Sequence, residues 1–485
     1  MMAAQTADAN PDRLLHWTTV NWEQVEETVR RLQARIVKAL KEDAFRKVKD
    51  LQRLLARSLS ARLLAVKRVT TNKGKKTPGV DGIIWTTPEQ KTQAVHDLAK
   101  DIPTLPLRRI YIPKKNGKMR PISIPSMPNR AQQACHLLTL DPIAETYADQ
   151  HSYGFRFKRG CHDAIGYIFK ILMRKGSPQW ILEGDIKSCF DEINHEWLKE
   201  NVHMDKSVLQ KWLKSGFMEG KKLFPTKAGT PQGGIASPTL ANITLDGLEK
   251  TLKEKFGDKP GQQKNRKMVH VCRYADDFIV TGNSKELLQE SVLPTIKRFL
   301  AERGLQISEE KTRITHINEG FDFLGQTTRK YGEKLLTTPS KKSLLNLTEK
   351  LSSTIKNYGD RAADLIKIIN PIIRGWCNYH RFIVSRKAFE KVDHHVFQCL
   401  WKWAKRQHPN KSRHWIAEKY FLQVEGQKWM FAAKTKRGKI KQQYLSSSTR
   451  IRRHILINGQ ANPYDEEWRP YFEKRAQRKS IPCAV

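Results

Sequence analysis

Apolar residues recur at two different spacings along this chain, and the spacing predicts which parts are helical and which are extended. Near the N-terminus they are three or four residues apart, which is typical of a helix with one apolar face: Trp22, Val25, Val29, Leu32, Ile36 and Leu40. Asn21 stands where the N-cap of this helix is expected, with Gln24 three residues later. The same spacing predicts a second helix through Val48, Leu51, Leu55 and Leu59.

Three later stretches alternate or stay apolar over a short distance, which is typical of strands. Residues 107–125 predict a hairpin around an Asn-Gly turn, decorated by six Lys or Arg residues. Residues 180–185 form a short buried-strand pattern that ends at Asp185. Residues 268–282 predict a strand, a tight turn and a second strand, and the turn holds Asp276 and Asp277.

From residue 338 onward the helical spacing returns. Ser340 is placed to open a helix, and residues 362–382 and 386–407 follow as two more helical stretches. Before them, a glycine-rich loop from residue 229 leads into a helix for which Ser237 is the expected N-cap and Pro238 the first residue. Mixed elements followed by helices predict an α+β region and then a helical domain.

The charge of the chain points to its partners. It holds 88 Lys plus Arg against 49 Asp plus Glu, a formal net charge of +39, which favours a polyphosphate partner that releases counterions on binding. Residues 402–453 contain fifteen Lys or Arg against two Glu. Five aromatic residues interleaved there are candidates for base stacking, although several are equally expected in a core: Trp403, Trp415, Tyr420, Trp429 and Tyr444.

The composition also disfavours two classes of protein. No apolar run approaches 18 residues and the N-terminus has no hydrophobic signal region, so we expect a protein of the cytoplasm, bacterial or organellar, with no membrane partner. Seven cysteines are scattered without a CxxC pair, which argues against a disulfide framework and against a zinc site.

Asp185, Asp276 and Asp277 are the candidate catalytic residues. Adjacent carboxylates repel each other unless a cation lies between them, and Mg²⁺ prefers oxygen ligands. One aspartate at a strand end and two at a hairpin tip suit a two-metal site, in which two Mg²⁺ ions activate an attacking hydroxyl and stabilise a leaving pyrophosphate. For the Asp-Asp pair taken alone, a solvated turn is the alternative.

Together with the strand that ends at Asp185, the YADD tetrapeptide at residues 274–277 resembles the palm of a reverse transcriptase. Three further blocks follow the order found in the group II intron reverse transcriptase/maturases. They are HSYGFRFKRGCHDAI from residue 151, GTPQGGIASPTLANI from residue 229 and PIIRGWCNYHRF from residue 371. The resemblance extends from about residue 20 to about residue 475.

The resemblance implies a right-hand polymerase of the α+β class. Its expected parts are an N-terminal helical extension (1–75), reverse transcriptase fingers and palm (76–337), an α-helical thumb/maturase domain X (338–430) and a small basic DNA-binding region (431–485). The segment NPYDEEWRPYF resembles the one that precedes an endonuclease in many relatives, and only about a dozen residues follow it here. The form without an endonuclease is therefore expected.

The resemblance also implies a set of site residues. The expected ligands of the two Mg²⁺ ions are Asp185, Ile186, Asp276 and Asp277. The expected nucleotide-binding residues are Lys114, Arg120, Phe190, Gln232 and Lys311. Lys115 and Lys118 compete with Lys114 for the triphosphate. The resemblance implies that the Phe190 side chain excludes nucleotides with a ribose 2′-hydroxyl. From its sequence position alone, Phe190 is equally expected to be a core residue.

The implied function is that of an RNA-directed DNA polymerase that copies intron RNA from dNTPs, and of a maturase that binds group II intron RNA for splicing and for retrohoming into target DNA. The nucleic-acid contacts are expected from Arg374, Trp376, Tyr379, His380, Lys434, Lys436, Arg437, Lys439 and Lys441. Two alternatives stay open: an RNA-binding splicing factor with little polymerase activity, and a reverse transcriptase of a defence or diversity-generating system.

Overall fold

The N-terminal part of the chain is helical in the computed structural model, which describes residues 16–113, 117, 119–220, 222–257, 267–424, 426–435 and 438–480. Its helices are α1 (Trp22–Lys41), α2 (Phe45–Arg57), α3 (Leu59–Thr71) and α4 (Pro88–Asp97). The Asn21 side chain caps α1 by accepting a hydrogen bond from the Gln24 amide, as the sequence predicts. The predicted continuous helix through Leu59 is wrong, because Ser58 ends α2 and caps α3.

The next part of the chain mixes strands and helices, as expected for an α+β fold. Its first half holds β1 (Leu107–Pro113), β2 (Met119–Ile124), α5 (Met127–Tyr147), α6 (Cys161–Leu172), β3 (Trp180–Lys187), α7 (Cys189–Glu192), α8 (His195–Asn201), α9 (Lys206–Leu213), β4 (Phe217–Glu219) and β5 (Lys222–Phe224). Its second half holds α10 (Ser237–Leu245), α11 (Leu248–Phe256), β6 (Val271–Tyr274), β7 (Asp277–Gly282), a π-helical turn (Leu287–Val292), α12 (Leu293–Ala301), β8 (Gln306–Ile307), β9 (Arg313–His316), β10 (Phe321–Phe323), β11 (Gln326–Tyr331) and β12 (Lys334–Pro339).

Strand β3 is the centre of the palm sheet. The strand order is β6-β7-β3-β8, and β9 also pairs with β3. All of these pairings are antiparallel. Buried side chains of α5, α10, α11 and α12 pack with the sheet into one large apolar core. The sheet is therefore a rigid support for whatever lies at the end of β3.

The predicted change to a helical domain after residue 338 is confirmed. Helices α13 (Lys341–Lys356), α14 (Ala362–His380), α15 (Arg386–Gln407) and α16 (Arg413–Tyr420) follow, then a small antiparallel sheet of β13 (Phe421–Val424), β14 (Gln427–Lys434) and β15 (Ile440–Gln442). Phe421 and Phe431 are buried in the same core as the helices. The division expected between residues 430 and 431 therefore falls inside a strand of this domain.

The last described segment, residues 450–480, runs back over the palm and the N-terminal helices and ends in α17 (Arg469–Ser480). Asp163, near the start of α6, accepts hydrogen bonds from Arg475 at 2.6 Å, His454 at 2.8 Å and the Ile457 amide at 3.0 Å. Lys41 of α1 forms an ion pair with Asp465 at 2.6 Å. This segment, which we term the C-terminal strap, ties two parts of the molecule together.

The described residues contain no helix that is both long and apolar enough to span a membrane.

The strap predicts a measurable stability effect at Arg475. The Arg475 and Asp163 side chains are only 5% and 3% exposed, and removal of one partner of such a buried pair typically lowers the free energy of unfolding by about 3–5 kcal/mol. Arg475→Ala should therefore lower the melting temperature clearly. The exposed Arg478, one turn further along α17, supplies the control Arg478→Ala, which should melt like the wild type.

The pH dependence of that effect follows from Asp163. Burial opposes its ionisation, but the hydrogen bond from His454 and the charge of Arg475 hold the pKa of Asp163 below its usual value. Its stabilising contribution is thus complete above the pKa of an unfolded aspartate, near 3.9, and is lost as the pH falls through the lower folded value. Equal melting temperatures for both arginine variants at neutral pH would contradict the role of the strap.

Candidate active site

The palm sheet brings the three candidate carboxylates to one end. Asp185 on β3 and Asp277 on β7 are directly paired in the antiparallel register. Asp276 lies in the two-residue turn between the paired residues Tyr274 and Asp277. Gly184 is required beside them, because a Cβ there would lie 2.2 Å from the ring of Phe278.

A buried arginine fixes the acidic turn from behind. The Arg273 side chain is 1% exposed and forms an ion pair with Asp246 of the α10–α11 connection. It also donates to Asn242 Oδ1 at 3.1 Å and to the Ala275 main-chain oxygen at 3.3 Å. Ala275 has a φ of 57°, a left-handed conformation that is unfavourable for alanine without such support.

The sequence pattern did not identify Arg273, Asn242 and Asp246 as residues that position this turn. The sequence contained one signal, because Arg273 directly follows the apolar residues Val271 and Cys272 in the strand pattern. A charged side chain in a buried strand rarely lacks a partner. The identity of that partner could not be predicted, because Asp246 lies 27 residues away in sequence.

The carboxylates repel one another in this site. Burial raises the pKa of Asp277 to about 6, and the neighbouring charges of Asp276 and Asp185 add to this effect. Burial and the charge of Asp185 likewise raise the pKa of Asp276. Such mutual repulsion is relieved when a cation binds between the oxygens.

Lys311 supplies one such cation. It follows β8, where the Ser308 amide donates to the Asp185 main-chain oxygen at 2.8 Å, and its Nζ lies 2.6 Å from Asp185 Oδ2. The sequence predicts Lys311 near a triphosphate; here its ammonium group pairs with the candidate catalytic carboxylate Asp185. This contact shows that the Asp185 oxygen accepts a positively charged group.

The donor set fits a divalent metal in its chemistry, since Asp185, Asp276 and Asp277 offer only oxygen ligands. Ile186 has a buried side chain, so only its main-chain oxygen could bind an ion. As they are arranged here, however, no three His, Cys, Asp or Glu side chains in the described part of the chain form a group that could hold a metal. The three carboxylates and the main-chain oxygen of Ile186 are the groups that would hold a divalent metal at this site.

The glycine-rich loop lies against the residues that follow β3. The Thr230 amide donates to the Phe190 main-chain oxygen at 2.6 Å, and the Gly229 amide donates to Ile193 at 2.8 Å. Gln232 Nε2 lies 3.0 Å from Asp191 Oδ2. The structure therefore brings Gln232 and the candidate gate Phe190 into one neighbourhood, next to the carboxylates.

Phe190 itself is half-buried. Its side chain packs against the palm core, and its ring centroid lies 6.4 Å from that of Phe155 in an edge-on arrangement. Both interpretations of Phe190 from the sequence, gate and core residue, are compatible with this position.

The finger hairpin is joined to the same loop. The Ser123 amide of β2 donates to the Gln232 main-chain oxygen at 2.7 Å. Arg120, exposed on β2, is near enough for its charge to oppose the rise in the pKa of Asp276. Lys114, Lys115 and Lys118 lie outside the described residues, so the choice among them stays a prediction.

The prediction that Ser237 is the N-cap of a helix is wrong. The helix α10 begins at Ser237 itself and its N-cap position is Ala236. The Ser237 hydroxyl instead donates to the Pro231 main-chain oxygen at 2.7 Å. Ser237 thereby closes the glycine-rich loop and does not cap the helix.

The four residues predicted to bind RNA from α14 have different environments. Arg374 stacks over the Tyr444 ring at 4.9 Å. Trp376 is half-buried and donates from Nε1 to Ser343 at 3.0 Å, and Tyr379 donates its hydroxyl proton to the Leu324 main-chain oxygen at 2.7 Å. His380 is 0% exposed and burial lowers its pKa to about 4. Direct RNA contact by His380 is therefore a wrong prediction; it is a neutral residue of the junction between palm and helical domain.

The basic residues predicted after residue 430 lie along the small sheet. Lys434 ends β14, Lys441 lies in β15, and Lys439 precedes it; Lys434 and Lys439 are exposed. Lys436 and Arg437 lie outside the described residues. Two of the aromatic candidates for stacking belong to the core, because Trp403 is 1% exposed and Tyr420 is 9% exposed.

Known protein families match three parts of the chain. The model of the reverse transcriptase (RNA-dependent DNA polymerase) family matches residues 112–328, that of the N-terminal domain of reverse transcriptase matches residues 17–98, and that of the group II intron maturase-specific domain matches residues 344–421.

Individual proteins are similar over most of the chain. Protein YkfC of Escherichia coli is 31% identical over 348 residues, covering 63% of this chain and 91% of that protein. The group II intron-encoded protein LtrA of Lactococcus lactis is 30% identical over 410 residues, covering 65% and 68% respectively. An uncharacterized 91 kDa protein in the cob intron of Schizosaccharomyces pombe is 29% identical, covering 67% and 50%.

The close approach of the glycine-rich loop predicts a specific sensitivity at Gly229. Its φ is 81°, and a Cβ would lie 2.5 Å from main-chain atoms of Phe190 and Asp191. Gly229→Ala should shift this loop and Gln232 with it, and so reduce the rate of primer extension on RNA by roughly 10-fold or more, the sensitivity expected when a positioning contact moves by about 1 Å.

Gly220→Ala is the matched control, because Gly220 has a φ of 59° and open space around its Cβ position. Both alanines carry the backbone strain of about 1–2 kcal/mol, whereas only Gly229→Ala meets a clash. If both variants extend primers equally well, the loop does not position the nucleotide.

Proposed function

This chain belongs to the family of group II intron-encoded reverse transcriptase/maturases, and from that premise we propose how its residues divide the two activities. It is an RNA-directed DNA polymerase and a maturase. The polymerase reaction is proposed for the end of β3 and the acidic turn, and nucleic-acid recognition for the helical domain and the small basic sheet.

We assign bond formation to Asp185, Asp276 and Asp277. The observation that carries this proposal is the direct pairing of Asp185 with Asp277 in adjacent strands, with Asp276 in the turn beside them. These side chains, together with the main-chain oxygen of Ile186, would hold two Mg²⁺ ions. When bound, the ions would lower the pKa of the primer 3′-hydroxyl and neutralise charge on the leaving pyrophosphate.

We propose that residues around the glycine-rich loop bind the incoming dNTP. Arg120 and one lysine of the finger hairpin, Lys114 in our assignment, are proposed to bind the phosphates, since arginine offers paired donors to phosphate oxygens. Gln232 is proposed to contact the nucleotide from the loop, and Phe190 to exclude a 2′-hydroxyl. Lys311, which neutralises Asp185 here, is proposed to turn to the triphosphate when metal binds.

The proposed macromolecular partners are group II intron RNA and target DNA. Support comes from the net charge of +39, from the match to the maturase-specific domain and from the exposed lysines of the small sheet. The proposed contacts are Arg374, Lys434, Lys436, Arg437, Lys439 and Lys441, with Trp376 and Tyr379 at the base of the domain. The alternative from the sequence was an RNA-binding splicing factor with little polymerase activity. The match to the reverse transcriptase family favours the polymerase, and the next experiment tests it directly.

Asp276→Asn should abolish the polymerase without unfolding the protein. The change removes one charge and keeps the shape, so primer extension on RNA should slow by at least about 100-fold, as when one preorganised electrostatic contact to a transition state is lost. Because Asp276 and Asp185 repel each other, the melting temperature in metal-free buffer should stay the same or rise. Binding of intron RNA should be unchanged.

Glu319→Gln, which neutralises an exposed carboxylate after β9, is the control and should extend primers normally. Normal extension by Asp276→Asn would exclude this turn as the polymerase site. No extension by the wild type itself, with intron RNA still bound, would favour the splicing factor.

Phe190→Ala should weaken the discrimination between deoxyribonucleotides and ribonucleotides. If the ring blocks the 2′-hydroxyl, the ratio of kcat/KM for a dNTP to that for the matching ribonucleotide should fall by roughly 10-fold or more. Phe190→Tyr, which keeps the ring, should preserve the ratio. An unchanged ratio in Phe190→Ala, with a lower melting temperature, would make Phe190 a core residue only.

A further inference from the structure

Trp429 is an exposed tryptophan held in an unfavourable backbone conformation. Its side chain is 57% exposed and its φ is 61°, a region in which a bulky residue is an outlier. It lies on a β-bulge: between the pairs Leu422↔Met430 and Val424↔Gln427, β14 has two residues where β13 has one. Bulges of this kind redirect a side chain, and here the side chain directed to solvent is an indole.

A second tryptophan lies beside it. The ring centroids of Trp429 and Trp401 are 6.4 Å apart, and Trp401 is in turn supported by Phe421 at 5.1 Å and by Phe397 at 6.3 Å. Trp401, Phe397 and Phe421 belong to or pack against the core of the helical domain. The exposed indole therefore extends a fixed aromatic surface, which we term the tryptophan step (Trp401 and Trp429).

The charged residues next to Trp401 and Trp429 in the sequence are cationic. Lys428 precedes Trp429, and Lys402 and Lys405 follow Trp401 on α15. Among the described residues, no Lys or Arg between 402 and 453 forms an ion pair with a carboxylate. Protein partners usually meet such a surface with paired acids, whereas a nucleic acid supplies phosphates to the lysines and a π-face to the indole.

We propose that the tryptophan step is a binding platform for unpaired bases of a single-stranded nucleic acid, with the flanking lysines on its phosphates. The inference rests on the proposed recognition of nucleic acid by this domain and gives it a specific chemistry. A duplex keeps its bases stacked on one another, so the platform distinguishes unpaired from paired segments. It selects exposed loops or melted strands and not a particular sequence.

Trp429→Gly tests the platform without adding strain, because glycine adopts positive φ freely. The probe is an unstructured RNA of roughly 12 nucleotides, a length that covers a typical single-strand site, compared with the same RNA annealed to its complement. The variant should bind the unpaired RNA roughly 5- to 100-fold more weakly, the effect of one lost base stack, and should bind the duplex as the wild type does. Trp429→Phe, which keeps a ring, should retain most of the affinity.

Two controls separate stacking from charge and from folding. Ile440→Ala removes an exposed apolar side chain of β15 and should leave both affinities unchanged. The triple change of Lys402, Lys405 and Lys428 to alanine should reduce the slope of log affinity against log salt by up to about 0.7 per lost phosphate contact. Trp429→Gly should weaken binding at every salt concentration with the slope unchanged.

The same binding measurement with unpaired DNA of the same sequence shows whether the platform also binds target DNA. If Trp429→Gly weakens DNA binding as much as RNA binding, base stacking is the shared chemistry. Equal affinity of wild type and Trp429→Gly for the unpaired RNA would overturn the proposal, and so would an equal loss on unpaired and duplex RNA. Primer extension on a short primer–template should be normal in Trp429→Gly. If the binding test of Trp429→Gly contradicts the platform, the polymerase assignment still stands. If the primer-extension test of Asp276→Asn contradicts the polymerase site, the platform still stands.

Discussion

The buried guanidinium of Arg273 is the contact on which the acidic turn depends. It comes from β6, the strand that leads into the turn, and it contacts Asn242 on α10, Asp246 in the α10–α11 connection and the Ala275 main-chain oxygen. A charge buried this deeply is stable only with its partners in place. The turn thus has one well-defined position relative to α10, the helix that follows the glycine-rich loop, so carboxylates and loop are held in one frame. Precision of this kind is what a reaction between a primer end and a nucleotide needs.

A different principle joins the polymerase part to the helical domain. The junction includes two neutral hydrogen bonds at Tyr379: its hydroxyl donates to the Leu324 main-chain oxygen at 2.7 Å, and its main-chain oxygen lies 2.8 Å from His162 Nε2 of α6. The block around residue 371 that marks the maturase region in the sequence therefore also forms the base on which the helical domain stands. The strap adds a second connection through Asp163 and Lys41. Movements of the helical domain are constrained from two sides.

Much of the fold and of the candidate site could be predicted from the sequence, because the informative signals are local. Period-two alternation located the acidic hairpin, and helical spacing located α13, α14 and α15 to within a few residues. What failed was long-range or depended on burial. The break at Ser58 needed knowledge of the turn, and the division at residue 430 ignored that Phe431 completes the core above α14. His380 was assigned to RNA from its motif alone, although only the packing of three elements shows that it is inaccessible. Motif order therefore identified the family correctly, while burial determines which side chains are available for contacts.

The strap also has a consequence for the way this protein is made. The buried carboxylate of Asp163 pairs with Arg475, which lies 312 residues further along the chain. At typical synthesis rates of about 5–20 residues per second, the ribosome needs roughly 15–60 seconds to deliver that partner. During this interval Asp163, near the N-terminal end of α6, lacks the guanidinium with which it pairs in the folded protein. The nascent chain is long and strongly cationic at that stage. Completion of the strap thus orders events in time: the polymerase reaches its final packing only after nearly all of its basic surface has already left the ribosome.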